Sequence, residues 1–535
     1  MRRLIVLSGP VAAGKSELAN HLQERYGAQV LHTADLLREH LGARVADRAA
    51  LQRAGDRLDR KTGGRWVIDA LVRRCDALDE SAIVVVDSVR IKTQVDAIRE
   101  AFGRRVVHLH LTASDKTLAD RYEKRNADGR TGELASYEQL WKNRTERQVN
   151  RLAVDADIVI DTDRNSEADI LVRAATHLRL TGNRTDRLVD VLVGGQYGSE
   201  GKGNVASYLA PEYGLLVRSG GPNAGHSVMT DSGKHVQHHL PSGSALCDAP
   251  ILLTAGAVIY PPDLLEEIAL SKVEADRLVI DEQATIITRA HKRAEAKLAR
   301  TIGSTASGVG AATAGRIMGR SSGARLAKDV AELRPFVGSA GKVIEEAFAA
   351  GTRIFVEGTQ GTGLSLLHGP YPHVTSRDTT VAGLLSEAGV PPARLRRTVM
   401  VCRTYPIRVK NPDEAGRTSG PMRHELTWEI IAERSGLDLQ ELLAQELTST
   451  THRQRRVAEF DWALLQQAAA LNGPTDLAVT FVDQLDAANR DARRFEQLTD
   501  DTIEFIQEVE RVGAAPVSLI STRFHRRSII DRRSW

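Results

Sequence analysis

Residues Gly9-Pro10-Val11-Ala12-Ala13-Gly14-Lys15-Ser16 follow a β-rich run and precede a stretch with helical spacing. In such a G-x-x-x-x-G-K-S loop, Gly9 and Gly14 let backbone N–H groups close around phosphate oxygens. Lys15 brings a point charge to the β- and γ-phosphates, and the Ser16 hydroxyl can ligate Mg²⁺. A second glycine-rich stretch, Gly194-Gly195-Gln196-Tyr197-Gly198-Ser199-Glu200-Gly201-Lys202-Gly203, also lies between a strand and a helix. Its small residues permit the same close backbone approach to anionic groups.

The elements that must hold these loops are written in the apolar runs. Arg3–Leu7, Ala82–Val86, Arg105–Leu111 and Asp157–Ile160 are short runs separated by helical stretches such as Glu17–Tyr26, and Glu167–Leu180 reads as a closing helix. That alternation predicts a parallel sheet covered on both faces. The polar stretch Thr181–Arg187 predicts a linker between a domain at 1–180 and a large α/β domain at 188–535. The second domain opens with the strand Leu188–Val193 and has further apolar runs at Ile251–Leu253, Arg353–Val356, Val399–Cys402 and Leu477–Val482.

Composition narrows the function classes. The 535 residues are 42% apolar and 26% charged, an ordinary globular balance. The net charge of +3 argues against a nucleic-acid coat or a polybasic membrane binder. Cys75, Cys247 and Cys402 stand far apart, which makes a disulfide scaffold or a cysteine zinc site a poor reading. No apolar run is long enough to span a membrane. Met1-Arg2-Arg3 before Leu4–Leu7 imitates a signal peptide, but the run ends in the glycine–lysine loop. It is read as a buried first strand, with a reducing, cytoplasmic setting expected.

The first domain resembles P-loop nucleoside monophosphate kinases and dephospho-CoA kinase. Thr33-Ala34-Asp35-Leu36-Leu37-Arg38 looks like the helix that holds a monophosphate, which implies Arg38 on that phosphate. Asp87-Ser88-Val89-Arg90 stands where such kinases place an acidic magnesium or acceptor-site residue, with Arg90 beside it. Arg121 and Arg125 look like lid arginines that neutralise the moving phosphoryl; a solvated helix face is the alternative.

The second loop is followed, in order, by Gly220-Gly221-Pro222-Asn223-Ala224-Gly225-His226, His238–Gly243, Ile302–Thr305, Glu357–Gly361, Tyr371–Ser376, Thr450–Arg456 and Asp483. This set resembles the adenylosuccinate synthetase family, in the length range of its shorter archaeal-type members. The fold class implied for the whole chain is α/β: a P-loop NTPase domain followed by a synthetase-like domain. Members of the family join L-aspartate to C6 of a 6-oxopurine nucleotide. A nucleoside triphosphate first phosphorylates O6, and the aspartate amine then displaces that phosphate.

The resemblance implies His226 as the acid at the phosphoryl and O6, Lys202 on the phosphates, and Gln360 at the purine. It implies Asn223, Thr305 and Thr375 on the nucleotide's 5′-phosphate, and Thr451, Arg453 and Arg455 on aspartate. Gly198, Gly201, Gly203 and Gly225 would hold the triphosphate, and Asp483 would read its base. Mg²⁺ would be bound near Ser16 in the first domain and Ser199 in the second. A homodimer is implied, with Arg320 or Arg316 reaching the neighbouring site. His238 and His239 are read as structural.

The departures from the family pattern are informative. Its catalytic aspartate is Ser199 here, and a serine cannot serve as a carboxylate base. Removing a positioned base costs about 10²–10⁴ in rate. The phage enzymes that make succinoaminodeoxyadenylate also carry serine and accept dGMP. The family's lysine two residues before the base-reading aspartate is Phe481, and its Ser-Thr-Gly-Pro is Ser521-Thr522-Arg523-Phe524. These changes favour a dGMP- or GMP-type substrate over IMP and open the donor to ATP as well as GTP. The alternatives are the standard reaction on IMP with GTP, or a nucleotide-sensing protein without turnover.

Overall fold

The structure is a computed structural model that describes residues 3–41, 48–75, 78–79, 82–127, 137–138, 148–180, 186–231, 233–321, 323–412, 416–447 and 454–535. The chain divides into two compact units, Met1–Thr181 and Gly182–Trp535.

In the first unit, β1 (Arg3–Ser8), β2 (Gln29–His32), β3 (Ile83–Asp87), β4 (Val106–Thr112) and β5 (Ile158–Asp161) form a parallel sheet in the order β2-β3-β1-β4-β5. Successive side chains of a strand point to opposite faces, so a central strand covered on both sides must be apolar throughout. Ile5 and Leu7 join Leu18, Leu22, Leu109 and Leu111 on one face; Leu4 and Val6 join Trp66, Val84 and Val86 on the other. Helix α1 (Lys15–Tyr26) leaves the first glycine loop directly, and β3 ends on Asp87. The closing helix is Glu167–His177, shorter than the expected Glu167–Leu180. Arg179 adopts φ +53, a left-handed backbone that ends the helical path.

In the second unit a long sheet runs in the order Val337–Gly338, Leu278–Asp281, Ile251–Ile259, Leu215–Gly220, Ile354–Glu357, Val189–Gly194, Leu395–Arg403, Asp476–Thr480, Val517–Ser521 and Ile529–Asp531. Neighbours are parallel except the last pair. That antiparallel edge was not expected from sequence, and neither were the hairpin His226–Thr230/Gly233–Gln237 and the small antiparallel sheet of Ile407–Arg408, Glu425–Leu426 and Arg456–Ala458. Five adjacent central strands end on Gly220, Glu357, Gly194, Arg403 and Thr480. Their carboxyl ends therefore share one edge, where open α/β sheets collect their ligand-binding loops. Among the described residues, no helix is long and apolar enough to cross a membrane.

Four buried histidines lie in these cores. Burial, followed by Arg99, pushes His108 down to about 4; burial, followed by His108 and Lys15, pushes His110 to about 4. Burial, followed by Arg218, pushes His226 to about 4 and His239 to about 3. An unfolded histidine takes up its proton near pH 6.5. Between pH 6.5 and 4 these histidines therefore bind more protons in the unfolded chain than in the folded one, and their contribution to stability must fall as pH falls through that window. Urea unfolding should show a lower midpoint at pH 5 than at pH 7 in the first unit; in the second, the raised carboxyls of Asp483 (about 7) and Glu387 (about 6) oppose the histidines. An equal or higher midpoint at pH 5 in the first unit would contradict the assignment.

Candidate functional site

The two glycine loops share a local design. Gly14 (φ +89) and Gly201 (φ +82) are left-handed N-caps, and each is followed by a lysine that begins a helix. A residue with a Cβ is strained in that conformation, which is why glycine stands at both positions. The loop N–H groups gather at a helix N-terminus, a ready site for phosphate.

In the first unit the loop borders a cavity of about 680 Å³ that is also lined by Ser88, Arg90, Arg121, Lys124, Arg125 and Asn165. Ser16 Oγ donates to Asp87 Oδ2 at 3.0 Å, and His32 Nδ1 lies 3.2 Å from the same oxygen. Asp87 Oδ1 is buried with no hydrogen-bond partner among the described residues. A hydroxyl beside a carboxylate with a spare oxygen is a hard donor set that fits Mg²⁺. Lys15 Nζ donates to Gly9 O at 2.9 Å and Pro10 O at 2.7 Å. Arg90 and Arg125 line this cavity. Arg38 does not: it is exposed, pairs with Asp35 at 2.6 Å one helical turn away, and is absent from the cavity wall. Arg121 touches the cavity, but its guanidinium is also anchored to Thr162 Oγ1 at 2.9 Å and Thr162 O at 2.8 Å. That bidentate grip makes it a brace between Asp115–Ala127 and the end of β5, not a free lid arginine.

In the second unit two cavities meet at Gly198, Ser199, Gly225 and Arg455. The larger, about 300 Å³, is lined by Tyr197, Asn223, Thr305, Gln360, His373, Thr375 and Arg408 among others. A further cavity of about 610 Å³ shares Asn223, Thr305, His373 and Thr375 with it. Asn223 Nδ2 donates to Thr375 Oγ1 at 3.2 Å, bringing together two of the residues expected on a monophosphate. Among the described residues, no Asp or Glu lines the 300 Å³ cavity. Burial, followed by Arg408 and Arg456, lowers the His373 pKa, so its imidazole stays neutral.

The smaller chamber, about 60 Å³, is lined by Lys202, His226, Lys234, Arg403, Glu446, Phe481 and Phe524. His226 Nδ1 hydrogen-bonds to Glu357 Oε1, while Nε2 is buried without a partner among the described residues. Burial alone would raise the Glu357 carboxyl. The His226 hydrogen bond and the Arg218 charge overcome it and hold the group at about 2. Ser242 also donates to Glu357, from N at 2.7 Å and from Oγ at 2.5 Å. The His226 imidazole is thus fixed in place, neutral, with Nδ1–H on a carboxylate and Nε2 open. Gln360 adopts φ +58 and keeps Nε2 buried and unpartnered. A non-glycine residue persists in that backbone only when its surroundings impose it.

Lys202 does not project free toward a ligand. Its Nζ is buried against Glu200 Oε2 at 2.6 Å, and Glu200 Oε1 accepts from Gln196 N and Gly198 N. Glu200 therefore braces the loop, and among the described residues no carboxylate stands free beside Ser199 for a cation. The donor set at Ser199 does not fit a protein-held Mg²⁺. Arg455 pairs with Glu446, which also accepts from Arg403 at 2.8 Å. Asp483 is buried and lines neither cavity described here; burial raises its carboxyl to about 7 against the opposing charge of Arg490. Arg316 is spent within its own chain on Ala255 O, Gln283 O and Thr285 Oγ1, and Arg320 is absent from the cavity walls. Thr451 and Arg453 lie outside the described residues. His238 and His239 receive Glu267 on their backbone N–H groups, a structural use.

Several of these residues had no assigned role in the sequence. Glu357 was visible in its Glu-Gly-Thr-Gln-Gly run, but its pairing with His226 spans distant strands. Arg218 reads as part of an apolar strand, and nothing around Glu446 signals that it gathers two arginines. His32 is marked only by its place before the Thr33 helix.

The family profile described as adenylosuccinate synthetase matches residues 191–331 and 320–491, and one described as an AAA domain matches residues 5–172. The adenylosuccinate synthetase of Thermococcus onnurineus is 37% identical over 351 residues, 64% of this chain and 98% of that protein. That of Methanocaldococcus jannaschii is 34% identical over 352 residues, 64% of this chain and 96% of that protein. Among solved structures, the succinoaminodeoxyadenylate synthetase of cyanophage S-2L, bound to dGMP and to dATP as an energy donor, matches with a TM-score of 0.56. It is 30% identical, over 65% of this chain and 96% of that one. The Plasmodium falciparum adenylosuccinate synthetase matches with a TM-score of 0.56 at 20% identity, over 65% of this chain and all of that one, a likeness of fold.

Proposed function

The chain belongs to the adenylosuccinate synthetase family, and from that premise we propose that its second unit joins L-aspartate to C6 of a 2-amino-6-oxopurine nucleoside monophosphate, dGMP or GMP in preference to IMP. ATP or GTP supplies the phosphoryl group. The first unit adds a P-loop kinase acting on a nucleoside monophosphate. The observation that carries the ligase reading is the junction at Ser199, where a carboxylate-poor cavity meets the chamber of His226.

In the first step the γ-phosphoryl moves from the triphosphate to O6. The bond to the β-phosphate breaks, and the N1 proton of the purine is released. In the second step the aspartate amine bonds to C6, phosphate leaves, and the amine loses a proton. His226 serves both steps. With Nδ1–H held by Glu357, Nε2 can take the proton released from N1 as dianionic charge arrives and return it to the departing phosphate. Glu357 steadies the imidazolium so formed. Gln360 Nε2, buried and unpartnered, offers a donor at the reacting edge. Arg455, which lines both cavities where they meet, would orient an aspartate carboxylate. Mg²⁺ bound to the triphosphate would neutralise charge on the moving phosphoryl, but no step is assigned to it through Ser199.

The dGMP preference rests on the neutral, compact Ser199 hydroxyl, which can accept a hydrogen bond from a 2-amino group, and on likeness to the cyanophage enzyme solved with dGMP. Ser199→Asp restores a carboxylate base and adds bulk. It should shift the ratio of kcat/KM for IMP over dGMP upward by about 10-fold or more. An unchanged ratio would remove Ser199 from substrate selection.

A further inference from the structure

We propose that Arg377 and Thr359 are positioning residues that fix which end of the Gln360 amide faces the cavity, and so make the site reject 6-aminopurine nucleotides; this deepens, and rests on, the ligase reading above. Gln360 lines the 300 Å³ cavity that also holds Ser199. An amide side chain carries an acceptor at one end and two donors at the other, and the hydrogen bonds around it decide which end points where.

Those hydrogen bonds form a relay with one direction. The Arg377 guanidinium, 8% exposed, grips Glu387 at two points, from Nε to Oε1 at 2.9 Å and from Nη2 to Oε2. Its third nitrogen, Nη1, donates to Thr359 Oγ1 at 2.6 Å and to Ser219 O at 3.3 Å. A guanidinium has donors only. Thr359 Oγ1 must therefore accept from Arg377, and its own single proton is left for the next group. It donates to Gln360 Oε1 at 3.1 Å. With Oε1 so occupied, the amide presents Nε2, which is buried without a partner among the described residues. Thr359 and Gln360 are themselves buried, so solvent does not compete for these bonds.

The backbone makes room for the relay. Gly220 adopts φ +95, and a Cβ there would stand 2.0 Å from Arg377 Nη1 and 2.6 Å from Thr359 Oγ1. Any side chain at that position would collide with the Arg377–Thr359 bond. Thr359 also lies two residues past Glu357, the last residue of the strand Ile354–Glu357. One strand end thus sets the hydrogen-bonding state of both His226 and Gln360.

The consequence is chemical. A donor aimed at the reacting edge matches O6 or N7 of a 6-oxopurine, whereas an adenine presents a 6-amino donor there. Donor would face donor, and a site built for one hydrogen-bonding pattern rejects the ligand that leaves its buried groups unpaired. The ligation product also carries an N–H at C6, so the same polarity disfavours its retention.

The test is initial-rate ligation by the full chain at pH 8, where Glu387, raised by burial to about 6, is ionised. The varied substrate is whichever of dGMP, GMP and IMP gives product, and dAMP is the competing ligand. Thr359→Val keeps the shape and removes the hydroxyl, which frees the amide to turn. It should lower kcat/KM for the 6-oxo substrate on the order of 10-fold, and lower the inhibition constant of dAMP by a similar factor. Thr359→Ser keeps the hydroxyl and should hold both values near wild type. Arg377→Gln, whose side chain can accept the Thr359 proton, should act like Thr359→Val; should it fail to fold, the Thr359 pair decides alone. A merely structural role predicts the opposite for dAMP, weaker inhibition in step with weaker catalysis. Unchanged constants in Thr359→Val, or weaker dAMP inhibition in it, would overturn the relay and leave ligation standing. So would a Thr359→Ser protein that behaves like Thr359→Val. A wild-type chain that makes no succinylated nucleotide would overturn the ligase reading, and the relay with it.

Discussion

His226→Ala should lower aspartate ligation by at least about 10²-fold, mostly in kcat. The size of the effect follows from the pairing. Glu357 is tied to His226, Arg218 and both donor groups of Ser242, so its charge is strongly stabilised. Burial and Arg218 keep the imidazole neutral until phosphoryl charge arrives. Removing the ring leaves a buried carboxylate facing a gap and removes the Nε2 that would carry the proton. Glu357→Gln is the informative companion. It preserves shape but no longer stabilises the imidazolium, so it should reduce kcat while leaving nucleotide KM nearly unchanged. A His226→Ala protein that folds as wild type and retains its turnover would exclude this histidine from the chemistry.

Lys15→Ala should abolish phosphoryl transfer by the first unit and leave ligation by the second intact. In loops of this kind the lysine meets the β- and γ-phosphates. Here Lys15 Nζ rests on Gly9 O and Pro10 O, neutral carbonyls that it can exchange for phosphate oxygens. The second unit has its own loop, its own lysine and its own core. Conversion of a radiolabelled γ-phosphoryl to a nucleoside diphosphate, assayed beside succinylated product, separates the two activities. Loss of both in Lys15→Ala would show that the units do not act independently; persistence of kinase turnover would remove the first loop from the reaction.

What the chain disclosed before its structure was known followed the range of the interactions. Both glycine loops were legible because their function is local: a left-handed glycine before a lysine at the start of a helix needs no distant partner. The strands of the first unit were legible because a sheet buried on both faces demands continuous apolar runs such as Leu4–Leu7. Long-range pairing was not legible. Arg38 has the sequence position of a phosphate ligand, but Asp35, one turn away, claims it. Lys202 was expected on phosphates and lines the chamber, but its pairing with Glu200, two residues earlier, was not read from the sequence. Glu446 gathers Arg403, 43 positions away, and Arg455, nine positions away, which no local pattern signals. The antiparallel edge at Ile529–Asp531 is likewise set by register with Val517–Ser521, not by composition.

The most direct test is mass spectrometry of the nucleotide formed when the full chain is incubated with aspartate, Mg²⁺, ATP or GTP, and dGMP, GMP or IMP in separate reactions. The account predicts a succinylated 2-amino purine monophosphate from dGMP or GMP, with one phosphate released per product. Product from IMP with GTP alone would contradict the reading of Ser199, and no succinylated product from any monophosphate would contradict the ligase function itself.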